Sequence, residues 1–250
     1  MHRTKNVSMD KTGNSIPRTL IIVPAFNESA SIIPVLDSLA IANPLWDIVV
    51  INDRSSDNTG DLARQTGKAR VIDLSCNLGI GSAVQTGFKI ARDCRYDFAV
   101  QFDGDGQHKA EEIFLLLEPL IRNEADVIIG SRFCGQSESF RSTWGRRIGI
   151  NFLSILTYLI TGKKILDITS GFRAYNHKAI MLLAQEYPSD YPEPEAIVLL
   201  AKHGIGIKEI SVTMQKRQGG KSSISGIKTA WYMIKVIPAI IIAGMRRTRR

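Results

Sequence analysis

The sequence predicts an α/β fold: a mostly parallel central sheet with helices on both faces, plus a C-terminal amphipathic helical extension. Three observations lead there. Short apolar runs alternate with segments of helical period between Leu20 and Gly130, the pattern of successive βαβ units. The runs are apolar on both alternating faces, as strands covered on both sides are. Polar clusters follow the runs, at the carboxyl ends of strands where such sheets bind ligands.

Taken in order, Leu20–Pro24 (LIIVP) reads as the first strand and Ser29–Ala42 as a helix, with Ser29 and Ser31 able to cap its start. Asp47–Asn52 (DIVVIN) is the second strand, Asp57–Gly67 a short helix and Arg70–Leu74 the third strand. Ile80–Asp93 is helical, Asp97–Phe102 (DFAVQF) the fourth strand, Ala110–Arg122 helical and Ala125–Gly130 (ADVIIG) the fifth strand. From Ser137 onward the pattern turns helical and basic, through Arg141, Arg146 and Arg147 to a long apolar helix near Ile148–Ile160. The simplest division is a flexible leader (1–18), one folded domain (19–223) and a C-terminal helix with a basic tail (224–250).

With 250 residues, 44% of them hydrophobic, the chain is long enough to bury one substantial core. Its formal charge of +8 fits nucleic acid, an anionic membrane surface or phosphate-bearing substrates. No nucleic-acid recognition motif accompanies that charge. Cys76, Cys94 and Cys134 have neither CxxC spacing nor neighbouring histidines, so no disulfide framework or zinc site is expected, and a reduced, cytoplasmic setting is. The polar leader lacks the apolar run of a secretion signal. Ile224–Met245 is apolar but interrupted by Lys228, Lys235 and Pro238, leaving an uncharged stretch about half the length needed to span a bilayer. A helix lying on the membrane, its basic end on anionic lipid, fits these features. A terminal helix packed on the core or on another subunit fits them too.

Asp103-Gly104-Asp105-Gly106-Gln107-His108 follows the fourth strand. Carboxylates one residue apart, flanked by glycines that let the backbone turn, suit a hard divalent cation and leave room for a diphosphate. Gln107 or His108 are candidates to complete the shell. Asp53, at the end of the second strand, is placed to accept hydrogen bonds from a base or ribose, while Asp57 and Thr59 cap the next helix. Glu28, in Pro24-Ala25-Phe26-Asn27-Glu28, is placed to hold ribose hydroxyls. Gly79 and Gly81 begin a helix as GxG, but the third glycine position is Val84 and the motif follows the third strand, so it is not a dinucleotide-binding fingerprint. These glycines let the loop approach a donor closely.

Pro24–Glu28, Asn52–Thr59, Asn77–Gly87, Asp103–His108, Gly130–Phe133, Asp167–Arg173, Glu195 and Arg217–Ser222 occur in the order seen in family 2 glycosyltransferases. The sequence most resembles the polyprenyl-phosphate sugar synthases of the dolichyl-phosphate mannose synthase type, over Leu20 to Ser223. That resemblance implies a GT-A catalytic domain with Mg2+ or Mn2+ held by Asp103, Asp105 and Gln107. It implies donor contacts at Pro24, Ala25, Asn27, Glu28, Asp53, Asn77, Gly81, Asp103 and Gly104. Arg132, with Arg146 or Arg147, would hold an acceptor phosphate, since the guanidinium fork pairs two phosphate oxygens at once. Arg217 and Ser222 would belong to a loop closing over it, and Asp105, Arg132, Asp167 and Glu195 would act at the reacting centre. Asn52 stands where dolichyl-type enzymes often have aspartate, and paired membrane helices common among relatives are missing. A small membrane protein partner would meet that second departure; separately, the apolar C-terminal helix would suit a homo-oligomer by burial between subunits.

The implied reaction is an inverting transfer from a nucleotide sugar to a polyprenyl (undecaprenyl-type) phosphate, at the inner face of the cell membrane. An ionised phosphate acceptor needs no strong base. Transfer to a sugar hydroxyl of a growing polysaccharide would need one, with Asp167 or Glu195 in that role.

Overall fold

The computed structural model describes residues 17–134, 144–215 and 227–245. The elements run β1 (Thr19–Ala25), α1 (Ile32–Ala42), β2 (Asp47–Asn52), α2 (Thr59–Gln65), β3 (Arg70–Asp73), α3 (Ile80–Asp93), β4 (Phe98–Gln101), α4 (Ile113–Ile121), β5 (Val127–Ser131), α5 (Trp144–Thr161), β6 (Arg173–Asn176), α6 (His177–Gln185), α7 (Pro192–Lys202), β7 (Ile207–Ser211) and α8 (Ile227–Met245). They form a seven-stranded sheet of order β3-β2-β1-β4-β6-β5-β7. β1, β2, β3 and β4 pair in parallel, as do β5 and β7.

Burial explains the strands. β1 is buried at every position, with Ile21, Val23 and Ala25 in the core on one face and Leu20 and Ile22 in the core on the other. β2 divides the same way, Ile48 and Val50 against Val49 and Ile51. A strand sandwiched between helix layers has no polar face to offer, which is why these segments read as continuous apolar runs.

Two helix starts differ from expectation. α1 begins at Ile32 rather than Ser29 because the serines are engaged elsewhere: the Ser29 N–H donates to Asp57 Oδ2 (3.2 Å), and Ser31 Oγ donates to Glu28 Oε2 and to the Gly104 carbonyl. α2 begins at Thr59, whose N–H donates to Asp57 Oδ1 at 3.0 Å. Both arrangements stitch the loop after β1 to its neighbours.

α5 contains the helix expected near Ile148–Ile160; the larger difference comes after it, in strands that no pattern announced. β6 runs antiparallel between β4 and β5, and α6, α7 and β7 complete the domain. The β6 sequence, Arg-Ala-Tyr-Asn, has no apolar run. Its strand state comes from the two neighbours that share its backbone hydrogen bonds.

α8 is not an appendage. Val236 and Ile240 are fully buried in the main core, an added Cβ at Gly244 would lie 2.8 Å from Ile160 of α5, and Lys202 of α7 donates to the carbonyls of Ala243 and Gly244. Its other side is exposed at Ile241, Ile242 and Met245, as is α5 at Phe152, Ile155, Tyr158 and Leu159. Among the described residues no helix is long and apolar enough to cross a membrane.

Candidate active site

Polar residues collect at the carboxyl ends of the parallel strands, around a cavity of about 380 Å³ lined by Pro24, Ala25, Phe26, Glu28, Asp53, Asn77, Gly79, Ile80, Ala83, Asp103, Gly104 and Asp105. The wall is built from four loops, those after β1, β2, β3 and β4. Gly104 fits where it does because an added Cβ would lie 3.2 Å from the Pro24 carbonyl. Gly79 has φ +85° with open space around it, so the requirement there is the backbone turn that starts α3.

Asp53 is 4% exposed and holds that turn, its carboxylate accepting the N–H groups of Leu78 and Gly79, each at 2.8 Å. Asn27 does not line the cavity. Its side-chain oxygen accepts from the N–H and hydroxyl of Ser56, and its own N–H donates to Ser55, so it braces the two loops from behind at φ +56°. Gly81, in the first turn of α3, is packed closely: an added Cβ would lie 2.4 Å from the Pro188 carbonyl. Phe26, Ile80 and Ala83 line the wall without having been singled out as donor contacts. The path of α3 brings Ile80 and Ala83 there, and Phe26 comes on the loop after β1.

Asp103 and Asp105 line this cavity. Gln107 is not on its wall; its N–H donates to Asp105 Oδ1 at 3.0 Å and its carbonyl accepts from Gln215. Among the described residues no three His, Cys, Asp or Glu side chains converge to close a metal shell. Two hard oxygen donors beside a cavity fit Mg2+ or Mn2+ in a site whose remaining positions belong to substrate phosphates.

The acidic and basic residues further along the chain are arranged differently. Asp167 is completely buried and faces Arg132, accepting from its Nε (2.7 Å), Nη2 (2.6 Å) and backbone N–H (3.0 Å). Glu209 in turn accepts the backbone N–H groups of Leu166 and Asp167. Burial opposes the Arg132 charge, and the Asp167 carboxylate outweighs it, so the guanidinium pKa is raised. Asp167 is thus placed as the counter-ion of Arg132, and the Nε–Nη2 edge of that guanidinium fork is already occupied. Glu195 accepts the Tyr191 N–H at 3.2 Å, at the start of its own helix, a local role that two adjacent prolines obscured in the sequence.

Glu193, one residue pair earlier, is the acid that sequence reasoning passed over. Burial pushes its pKa up to about 7, with Asp103 adding to the effect and Arg173 opposing it. Arg146 and Arg147 lie in the first turn of α5, with side chains outside the described residues, as are Arg141, Arg217 and Ser222 altogether.

Residues 20–183 match the profile of Glycosyl transferase family 2. The chain is 32% identical to an undecaprenyl-phosphate mannosyltransferase of Micrococcus luteus, over 84% of this chain and 88% of that one. It is 29% identical to a polyprenol monophosphomannose synthase of Mycolicibacterium smegmatis, over 93% and 90% of the two chains. A UDP-N-acetylglucosamine–dolichyl-phosphate N-acetylglucosaminyltransferase of Methanococcus voltae is 29% identical over 77% and 83%. The fold is shared with glucosyl-3-phosphoglycerate synthase of Mycobacterium tuberculosis, crystallised with Mn2+, UDP and glucosyl-3-phosphoglycerate, at a TM-score of 0.72 and 17% identity, covering 93% of this chain and 81% of that one.

Proposed function

The chain belongs to glycosyl transferase family 2, and from that premise we propose that it moves a sugar, with inversion, from a nucleotide-sugar donor to a polyprenyl phosphate. The observation that carries this reading is one cavity that joins Pro24, Ala25, Phe26, Glu28, Asp53 and Asn77 to Asp103 and Asp105. A nucleoside diphosphate needs both parts: a polar-rimmed slot for the nucleoside and hard oxygen donors at its phosphates. The relatives named for dolichyl, undecaprenyl and polyprenol phosphates supply the acceptor class.

Asp103 and Asp105 would hold Mg2+ or Mn2+, which supplies charge neutralisation at the departing diphosphate. The loops after β1, β2 and β3 would orient the nucleoside, and the floor of the cavity would exclude water from the anomeric carbon. A phosphate oxygen of the acceptor forms the new bond to that carbon as the bond to the nucleoside diphosphate breaks on the opposite side. An ionised phosphate brings its own electron pair, so no side chain need accept a proton. A hydroxyl acceptor would need a base, and Asp167 is engaged by Arg132.

The lipid acceptor sets the location. The outer faces of α5 and α8 expose Phe152, Ile155, Leu159, Ile241, Ile242 and Met245, next in sequence to exposed Lys163 and Lys164 and to Arg246, Arg247, Arg249 and Arg250. Apolar residues bordered by cations suit the anionic inner face of a cell membrane. Leu159→Asp with Ile242→Asp should abolish co-sedimentation with phosphatidylglycerol vesicles; equal sedimentation of wild type and variant would refute this placement.

The functional test is a screen of nucleotide sugars against a short polyprenyl phosphate with Mn2+ or Mg2+, reading the lipid-linked product. Formation of a glycosyl phosphate lipid is expected. Transfer to free glycans but never to the lipid phosphate would overturn the acceptor assignment.

A further inference from the structure

Asp103 lines the cavity, and its carboxylate is backed by a wall. His108, five residues on, has a side chain only 2% exposed, with Nε2 3.3 Å from Asp103 Oδ2. Its ring is stacked on Phe172 (centroids 4.7 Å apart, planes at 24°) and edge-on to Phe102 at 5.6 Å. The main chain at His108 is pinned by an antiparallel bridge to Met214. From the other side comes Gly171, where an added Cβ would lie 2.7 Å from Asp103 Oδ2 and 3.0 Å from Oδ1. Gly171 cannot drift, because fully buried Arg173 ties its loop down: the guanidinium donates to the carbonyls of Ser170 (2.7 Å), Ile168 (3.0 Å) and Glu193 (3.0 Å).

An aspartate carboxylate turns easily about its last torsion, and a metal site tolerates misplacement of only about 0.5 Å. The geometry points to His108 and Gly171 as positioning residues for Asp103: an N–H on one oxygen and a bare backbone against the carboxylate fix its orientation at the cavity wall. This rests on the reading above, in which Asp103 and Asp105 hold the divalent ion. It assigns His108 to the carboxylate rather than to the metal, and gives the glycine at 171 a reason that its φ does not supply.

His108→Phe keeps the aromatic stacking and deletes the donor, whereas His108→Gln restores an amide donor near the position of Nε2. The probe is Mn2+ bound in the presence of UDP or GDP, whichever the wild type binds, read by electron paramagnetic resonance and set beside melting temperature and turnover. His108→Phe is expected to weaken Mn2+ binding about 10- to 100-fold, the usual consequence of losing a partner behind a ligand, with His108→Gln recovering most of it. Gly171→Ala should weaken Mn2+ binding in the same direction. Wild-type Mn2+ affinity in His108→Phe, or a His108→Gln variant no better than His108→Phe, overturns the inference; should Gly171→Ala not fold, the two His108 variants decide. Wild-type protein inactive with every nucleotide sugar would instead defeat the proposed function.

Discussion

The loops after β1 to β4 and the segment from β5 to α7 both carry acids and arginines at strand ends, yet they use them in opposite ways. In the first region Glu28, Asp103 and Asp105 border a cavity. In the second, Asp167 is sealed against Arg132, and Arg173 is buried among backbone carbonyls. The difference teaches that a charged residue in a motif marks a ligand site only where the fold leaves it a free approach. Where burial is complete, the opposite charge it needs comes from within the chain.

Asp105→Ala strikes the first region where it should matter most. Loss of a metal-holding carboxylate is worth several kcal/mol of transition-state stabilisation, so turnover should fall by about a thousandfold or more while the melting temperature holds. Near-normal kcat in the folded variant would erase the contrast between the regions. Asp167→Ala should do the reverse and act on stability, by about 3–5 kcal/mol, because it strands a buried guanidinium. Chemical denaturation measures this, and an unchanged midpoint would mean that the Arg132 pair is not structural.

Gly81→Ala sharpens the boundary between the regions, since Gly81 sits beside the cavity loop yet packs on the Pro188–Ser189 backbone. A cost of about 1–3 kcal/mol is expected from overpacking against main chain, with KM for the donor little altered once the variant is folded. A donor KM that rises while stability is unchanged would return Gly81 to the binding wall.

The smallest effect concerns Glu193, whose carboxyl pKa is pushed up by burial from the ordinary carboxylate value to about 7 in the folded protein. A raised acid binds more protons folded than unfolded between those values, so stability falls as pH rises through that window. Glu193→Gln should therefore melt at a higher temperature than wild type above pH 7, and the two curves should converge below the ordinary carboxylate range. Parallel curves at all pH values would place Glu193 in solvent.

By itself the sequence determined the parallel half of the sheet, because strands buried on both faces must be apolar throughout and their helices must repeat at 3.6 residues. β2 and α3 have the bounds their patterns imply, and the Asp103–Asp105 turn was legible as glycines and acids after an apolar strand. Tertiary structure alone decided β6, whose Arg173 and Tyr175 enter a strand on the strength of neighbours distant in sequence. It also decided which acids face the cavity: Asp167, Glu193 and Glu195 are the same chemistry in the sequence, and only packing distinguishes a counter-ion, a carboxyl raised by burial and a helix-start acceptor. Burial and pairing depend on which segments meet in space, and no local pattern of residues encodes that meeting.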